Sequence, residues 1–183
     1  GNEHNVLKRF HDCAKSKKAQ YIVRITADCP FIDPEIVDSC IKKIKKGGFD
    51  YVSNTQIRTY PDGLDVAVFN ISSLIEAFQN SDTSYEKEHV TPYMKEKPHI
   101  KKYNIQKNSD HSSIRITVDE QVDLNVIRNI YKNMGDENFL CQDIVNLYES
   151  NPQIFDENSI IKRNEGSKMS NTMKLWKRAK VII

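Results

Sequence analysis

The pentapeptide Arg24-Ile25-Thr26-Ala27-Asp28 returns almost unchanged as Arg115-Ile116-Thr117-Val118-Asp119. Each copy closes a run rich in β-branched residues with an aspartate, which predicts strands over Tyr21–Thr26 and Ser113–Val118. In an open α/β sheet, ligands collect in the crevice beyond the carboxyl ends of the strands. Two carboxylates delivered there can share a hard cation such as Mg²⁺, which takes oxygen ligands and often only one or two carboxylates. Each aspartate also has an ordinary alternative. Asp28 could cap the turn into Cys29-Pro30, and Asp119 the helix beginning near Gln121. Arg24 and Arg115 stand four residues before their aspartates, on the same strand face if the segments are extended. They either pair with carboxylates inside the fold or aim at substrate.

The remaining pattern alternates helix and strand. Val6, Leu7, Phe10, Cys13 and Ala14 recur at helical spacing, and a second helix starts at Asp33-Pro34-Glu35, with Asp as N-cap and Pro in the first turn, and stops at Gly47-Gly48. Phe49–Ser53 reads as the next strand, and this order predicts a parallel sheet with crossover helices. The middle breaks the rhythm. Asn54–Asp62 is loop-like, Leu64–Phe69 a strand, Asn70 the cap of a helix through Gln79, Thr83 with Glu86 a capping box, and His99–Ile105 a strand. Helices carrying Leu124, Ile127, Ile130 and Tyr131, and then Phe139–Tyr148, complete an α/β domain over 1–150. Residues 151–183 read as a polar, basic tail, with Asn164–Thr172 expected to be mobile.

Composition narrows the function classes. Among 183 residues, 27 Lys+Arg against 25 Asp+Glu leave a net charge of +2, so no global field recruits nucleic acid or anionic membrane. The lysine runs at 15–18 and 42–46 fall near helix C-termini, where the dipole favours cations. Cys13, Cys29, Cys40 and Cys141 show no metal-binding spacing; Cys13 and Cys40 fall on apolar helix faces and are expected as buried thiols in a reducing cytoplasm. No window approaches membrane-spanning length, and the opening residues carry no apolar signal region, so the expected location is cytoplasmic. No nucleophile stands beside a base, which disfavours covalent catalysis.

Taken together, Asn5–Phe10, Val23–Pro30, Asp50–Asn54, Tyr60-Pro61-Asp62-Gly63-Leu64-Asp65-Val66, Glu88-His89-Val90-Thr91-Pro92-Tyr93 and Arg115–Asp119 resemble, in order and spacing, the sugar cytidylyltransferase family. The similarity is greatest to the branch named for spore coat polysaccharide biosynthesis protein F, related to acylneuraminate cytidylyltransferases. The resemblance implies a three-layer nucleotide-diphospho-sugar-transferase-like sheet, with a sugar-binding and dimerisation extension over 54–105. It implies CTP and a sugar, commonly an acidic one, as substrates, pyrophosphate as product, Mg²⁺ as cofactor and a homodimer as the assembly. By motif position Asp28 and Asp119 would be the catalytic, metal-binding carboxylates. Tyr60, Asp62, Asp65 and His89 would line the sugar pocket, with Arg24 and Arg115 beside it.

Two departures stand out. Where the family usually shows Asp-Val-Glu-Val, this chain has Asp65-Val66-Ala67-Val68, so one acidic group is missing from the pocket segment. The basic Gly/Ser loop with which such enzymes hold the triphosphate has no counterpart before Asn5. The 183 residues alone are therefore expected to bind CTP weakly. The alternative expectation is a catalytically incomplete sugar-binding or dimerisation module.

Overall fold

The computed structural model describes residues 5–135 and 139–161. Residues 162–183 of the expected basic tail, including the stretch from Asn164 to Thr172, lie outside the described residues. At the centre is a sheet of β1 (Tyr21–Arg24), β2 (Tyr51–Ser53), β3 (Ala67–Asn70) and β4 (Lys102–Asn104), in the order β1-β3-β2-β4. β1 and β2 both pair antiparallel with β3, and β4 pairs parallel with β2. Three strands thus run one way and β3 runs against them, which corrects the all-parallel expectation. The cause is the connection from Ser53 to Ala67, which contains no crossover helix and simply doubles back, the geometry of an antiparallel return.

Alternation along the strands divides the core between two faces. Val52 and Val68 point to one, where they meet Ile36, Cys40 and Ile44 of α2 (Pro34–Lys45), Ile127 and Ile130 of α6 (Gln121–Met134), and Ile144 of α7 (Cys141–Ser150). Tyr51, Phe69 and Ile22 point to the other. There they meet Leu7 of α1 (Val6–Ser16), Leu74 of α3 (Ile71–Asn80) and Met94 of α5 (Pro92–Glu96). The short α4 (Ser84–His89) joins this second layer. The result is helices on both faces of a mixed sheet, three layers in all. The 54–105 span supplies β3 and β4 to the sheet as well as α3 to α5.

The helix starts follow their caps. Asn5, Asp33 and Asn70 each accept a first-turn backbone N–H, and Thr83 and Glu86 form a reciprocal capping box. Asp33 has a second task, since its other oxygen accepts from the Cys141 N–H and ties the start of α2 to that of α7. Cys40 is buried as expected, but Cys13 is exposed. It sits off the stripe that α1 buries through Leu7 and Ala14. All four cysteines are free thiols. Among the described residues no helix is long and apolar enough to cross a membrane.

The second Arg-Ile-Thr-x-Asp copy does not extend the sheet. Among the described residues its one ladder-like contact is a parallel bridge between Arg115 and Asp62, made by Asp62 N–H to Ile114 O at 2.8 Å and Ile116 N–H to Asp62 O at 2.7 Å. Beyond it, Val118 N–H turns to Asp28 O at 2.9 Å. With one partner residue on each side, Ser113–Val118 has no room for a ladder, so the expected strand is an extended strap. Gly63 makes the bridge possible. Its φ is +115°, and a Cβ there would lie 2.7 Å from the Ile116 carbonyl carbon and oxygen. Only glycine brings the Tyr60–Asp65 segment this close to the strap.

Candidate active site

Because β1, β2 and β4 run the same way, their carboxyl ends share one edge, where β3 begins. Arg24, Ala67 and Ser53 lie directly opposite one another in a row across that edge. They stand two residues along from the row of Ile22, Phe69 and Tyr51, hence on the same face. Beyond the edge, Arg58 Nη1 donates to Asp65 Oδ2 at 3.0 Å. Lys95, on α5, is the third cation of the group. Desolvation foremost, and then repulsion from Arg58, push its pKa down to about 8; Asp65 pulls it up and Arg24 down again. Among the described residues, the Arg24 and Lys95 side chains have no salt-bridge partner.

Below the row, the wholly buried Tyr51 hydroxyl makes no well-formed hydrogen bond among the described residues, although Ser53, Thr55, Thr91 and Arg24 are near enough to act on its ionisation. Burial, the largest influence, raises its pKa. The turn that brings α5 here is strained: Val90, β-branched and buried, has φ 69° and ψ −49°. Such conformations cost on the order of 1–3 kcal/mol and cluster at functional sites.

Asp28 follows β1 on the same edge. Its carbonyl accepts from Val118 N–H and, at 3.1 Å, from the Thr117 hydroxyl, so the ends of the two repeated pentapeptides are in contact. The neighbouring Cys29 thiol has its pKa pushed up to about 12, by burial first. The Thr26 hydroxyl opposes the rise, and Asp28 and Asp65 add to it. A thiol so held is no nucleophile at neutral pH.

Asp119 continues the strap into a buried ion network. Arg115, 7% exposed, donates from Nε to Asp123 Oδ1 at 2.8 Å and from Nη2 to Asp123 Oδ2 at 2.7 Å. It also donates to Asp62 at 3.2 Å and to Asp119 at 2.9 Å. Burial alone would raise the Asp123 pKa, but hydrogen bonds from Arg115, Glu120 N–H, Asn158 and Asp119 N–H outweigh it and hold the carboxyl below the usual range. For Arg115, burial alone would lower the pKa, but Asp123 and Asp119 reverse it and the net direction is up. Of the two roles open to Arg115, pairing within the fold is the one its hydrogen bonds fill. The Asp119 side chain stays 54% exposed, one edge in the network and one toward solvent.

The expected site residues therefore fall in different places. Asp28, Asp65 and Arg24 gather at the strand ends, and Asp62 and Asp119 lie in the adjoining Arg115 network. Tyr60 packs toward the opposite helical layer, where burial foremost raises its pKa and Cys141, Cys40 and Asp33 add to the rise. His89, on α4, sets its ring at a tilt against Tyr85, with centroids 4.6 Å apart. Arg58, Lys95 and Tyr51 at the strand ends, and Asp123 and Asn158 around Arg115, were not singled out from sequence.

Among the described residues no three His, Cys, Asp or Glu side chains converge in the manner of a metal cage. The three aspartates that do converge surround a guanidinium. The carboxylates that could hold a cation are the expected pair, Asp28 and Asp119. Neither is fully buried, and their segments are joined by the Val118–Asp28 hydrogen bond. That suits Mg²⁺, which keeps several of its waters.

Comparison with known proteins agrees with this architecture. A family model described as Cytidylyltransferase matches residues 1–163. The uncharacterized protein MJ1063 of Methanocaldococcus jannaschii is 32% identical over 166 residues, covering 89% of this chain and 67% of that protein. Spore coat polysaccharide biosynthesis protein SpsF of Bacillus subtilis is 30% identical over 158 residues, covering 83% of this chain and 64% of the relative. The structure of a cytidylyltransferase from Leptospira borgpetersenii serovar Hardjo-bovis superposes with a TM-score of 0.83 at 27% identity, covering 89% of this chain and 69% of that one. The chain thus spans about two thirds of the length of each relative. The mixed sheet between helical layers is the fold of a solved cytidylyltransferase, as the sequence resemblance implied.

Proposed function

Because this chain belongs to the cytidylyltransferase family, we propose that the protein transfers the cytidylyl group of CTP to a hydroxyl of a sugar, commonly an acidic one, for surface-polysaccharide assembly. The carrying observation is the edge where β1 and β2 end, on which Asp28, Asp65, Arg24, Arg58 and Lys95 gather beyond one row of the sheet.

In the reaction the sugar oxygen bonds to the α-phosphorus as the bond from that phosphorus to the bridging oxygen of pyrophosphate breaks. The hydroxyl proton passes to solvent or to a carboxylate. Positioning and charge stabilisation dominate chemistry of this kind. Asp28 and Asp119 would hold Mg²⁺, which when bound neutralises phosphate oxygens. Arg115 fixes Asp119 from the protein side, and Asp123 fixes Arg115. Asp65, oriented by Arg58, is placed to accept a sugar hydroxyl. Asp62 has its carboxylate on Arg115 and acts by anchoring the loop. The 54–105 span is the segment proposed to join two copies into a C₂ dimer, the commonest soluble assembly.

Pyrophosphate release by the full-length protein, followed with CTP, Mg²⁺ and a panel of acidic and neutral sugars, tests the reading. Release that depends on sugar and prefers CTP over UTP and ATP supports it. No sugar-dependent release with any nucleotide defeats it. Light scattering that finds a monomer at high concentration defeats the dimer.

A further inference from the structure

We propose that Asn54 is a positioning residue for the transfer: its side-chain amide takes the place of a strand where β2 ends, and so holds the Asp65 carboxylate at the site. The proposal rests on the transfer reaction above, in which Asp65 accepts a sugar hydroxyl.

The β2–β3 register pairs Tyr51 with Phe69, Val52 with Val68 and Ser53 with Ala67, so the next pair in line is Asn54 with Val66. There the backbone ladder fails. Asn54 N–H still donates to Val66 O, at a long 3.4 Å. The chain then leaves β3 for β4, where Asn104 Oδ1 accepts from Gln56 N–H at 3.0 Å and from Ile57 N–H at 3.1 Å. The segment 64–66 thereby loses its strand partner, and the Asn54 side chain supplies one instead. Its Oδ1 accepts from Val66 N–H at 2.9 Å, and its Nδ2 donates to Leu64 O at 2.7 Å. A primary amide offers an acceptor and a donor side by side, as a strand backbone does. Asn54 is 2% exposed, so no solvent stands ready to replace either bond.

The residue between those two bonds is Asp65. Leu64 and Val66, on either side of it, are buried in the core that packs on α2. Alternation therefore turns Asp65 to the other face, the one shared by Ala67, Ser53 and Arg24. Arg58 Nη1 donates to both of its carboxylate oxygens, at 3.0 and 3.4 Å. That ion pair is a weak fixture by itself, because both side chains are about 30% exposed and Arg58 lies on the loop that departs at Asn54. The two amide bonds are what hold the backbone from which the carboxylate projects. Asn54 itself is enclosed, and so it acts on the sugar through Asp65.

The test is steady-state pyrophosphate release by the full-length protein, with CTP and Mg²⁺. The acceptor is whichever of N-acetylneuraminate, glucuronate, N-acetylglucosamine and glucose the parent turns over fastest. Asn54→Leu, close in size but unable to form either bond, and the smaller Asn54→Ser are compared with Asp65→Asn. Each Asn54 variant is expected to raise the KM for the sugar by about 10-fold or more, the worth of a hydrogen bond to a charged group. The KM for CTP should stay at the parent's value. Combined with Asp65→Asn, neither should weaken sugar use further than Asp65→Asn alone, because nothing is then left to position. Thermal melts identify the folded variants, and either folded Asn54 variant decides. Should neither fold, Asn54 serves folding and the proposal falls.

The proposal is overturned if the sugar KM is unchanged, if the CTP KM rises as much as the sugar KM, or if the losses multiply in the double variants. A lower kcat with both KM values intact also overturns it, since a partly unfolded population gives that pattern. If Asp65→Asn uses sugar as the parent does, the proposal falls while cytidylyl transfer stands, with another group on the sugar. No sugar-dependent release by the parent from any of the four sugars removes the transfer reading, and this proposal with it.

Discussion

Arg115 Nη2 lies 2.7 Å from Asp123 Oδ2, with the arginine side chain 7% exposed and the aspartate wholly buried. The pair joins the start of α6 to the strap, because the same Asp123 oxygen accepts the N–H groups of Asp119 and Glu120. Asn158 closes the ring by donating to Asp123 Oδ1 and to the Arg115 carbonyl.

Removing one member of such a buried pair leaves an uncompensated charge. Asp123→Asn is expected to cost about 3–5 kcal/mol of stability, whereas Asp119→Asn, whose side chain is more than half exposed, costs about 1 kcal/mol or less. Urea unfolding of the two variants checks the ranking. The pH dependence has a definite sign. The Asp123 pKa is lowered on folding, so its stabilisation is complete above the ordinary aspartate value of about 3.9 and is lost as pH falls through the folded value. An Asp123→Asn variant should therefore lose less stability between neutral pH and that acid range than the parent does. Equal losses would show that the network does not report on Asp123.

The Arg115 network also shows how far the sequence could be read. The repeated pentapeptide suggested two equivalent strand ends, and its ends do meet through Asp28 and Val118. The equivalence fails because the first copy lies beside β3 while the second has only Asp62 to pair with. Caps were legible, since Asp33, Asn70 and the Thr83–Glu86 pair act within a few residues of themselves. Asp123 was not, because an acid in the first turn of a helix looks like an ordinary dipole partner. Arg58 and Lys95 were hidden for a different reason. Only the strained Val90 turn and the doubling-back loop bring them to one place, and neither leaves a local pattern.

Gly63 holds the loop–strap contact, and Gly63→Ala meets backbone rather than a movable side chain. With φ at +115° the substitution is strained as well as crowded. The expected loss is about 3 kcal/mol or more, beyond the usual cost of overpacking. Chemical denaturation measures it. A loss below about 1 kcal/mol, within the usual spread for point substitutions, would mean the strap can move away.

Thiol chemistry gives an independent check on the layers. Cys13 is exposed, while Cys29, Cys40 and Cys141 are buried. Burial pushes Cys29 and Cys40 up to about 12 and raises Cys141 as well. A thiolate-specific disulfide reagent at pH 8 should label Cys13 quickly and the other three only after denaturation. Rapid labelling of Cys40 in the folded protein would contradict its place between α2 and the sheet.

Lys95 gives stability a pH dependence of its own. Its pKa is about 8 in the fold and near 10.4 when unfolded, so between those values the unfolded chain binds more protons and stability rises with pH. Lys95→Met removes a desolvated cation beside Arg58 and should raise the melting temperature at pH 7. The advantage should shrink as pH climbs toward 10.4. A melting temperature lowered at pH 7 by Lys95→Met would show that the ammonium already has a stabilising partner.

The carboxylate pair remains the sharpest test of the chemistry. If Asp28 and Asp119 hold one ion, their effects are not independent, and residues acting as a unit are strongly non-additive. Each single Asn variant of the full-length enzyme is expected to lower turnover by about 100-fold or more, in the range found when a single electrostatic stabiliser is removed. The double variant should be scarcely worse than either single one. Both should shift the Mg²⁺ concentration for half-maximal rate upward, and both should weaken Mn²⁺ binding measured by electron paramagnetic resonance. Their unfolding free energies should stay near the parent's, because neither carboxylate is buried. Asp28→Asn with full turnover and an unchanged Mg²⁺ dependence would leave Asp28 as the cap of its turn. Losses that simply multiply in the double variant would place the two aspartates in separate roles.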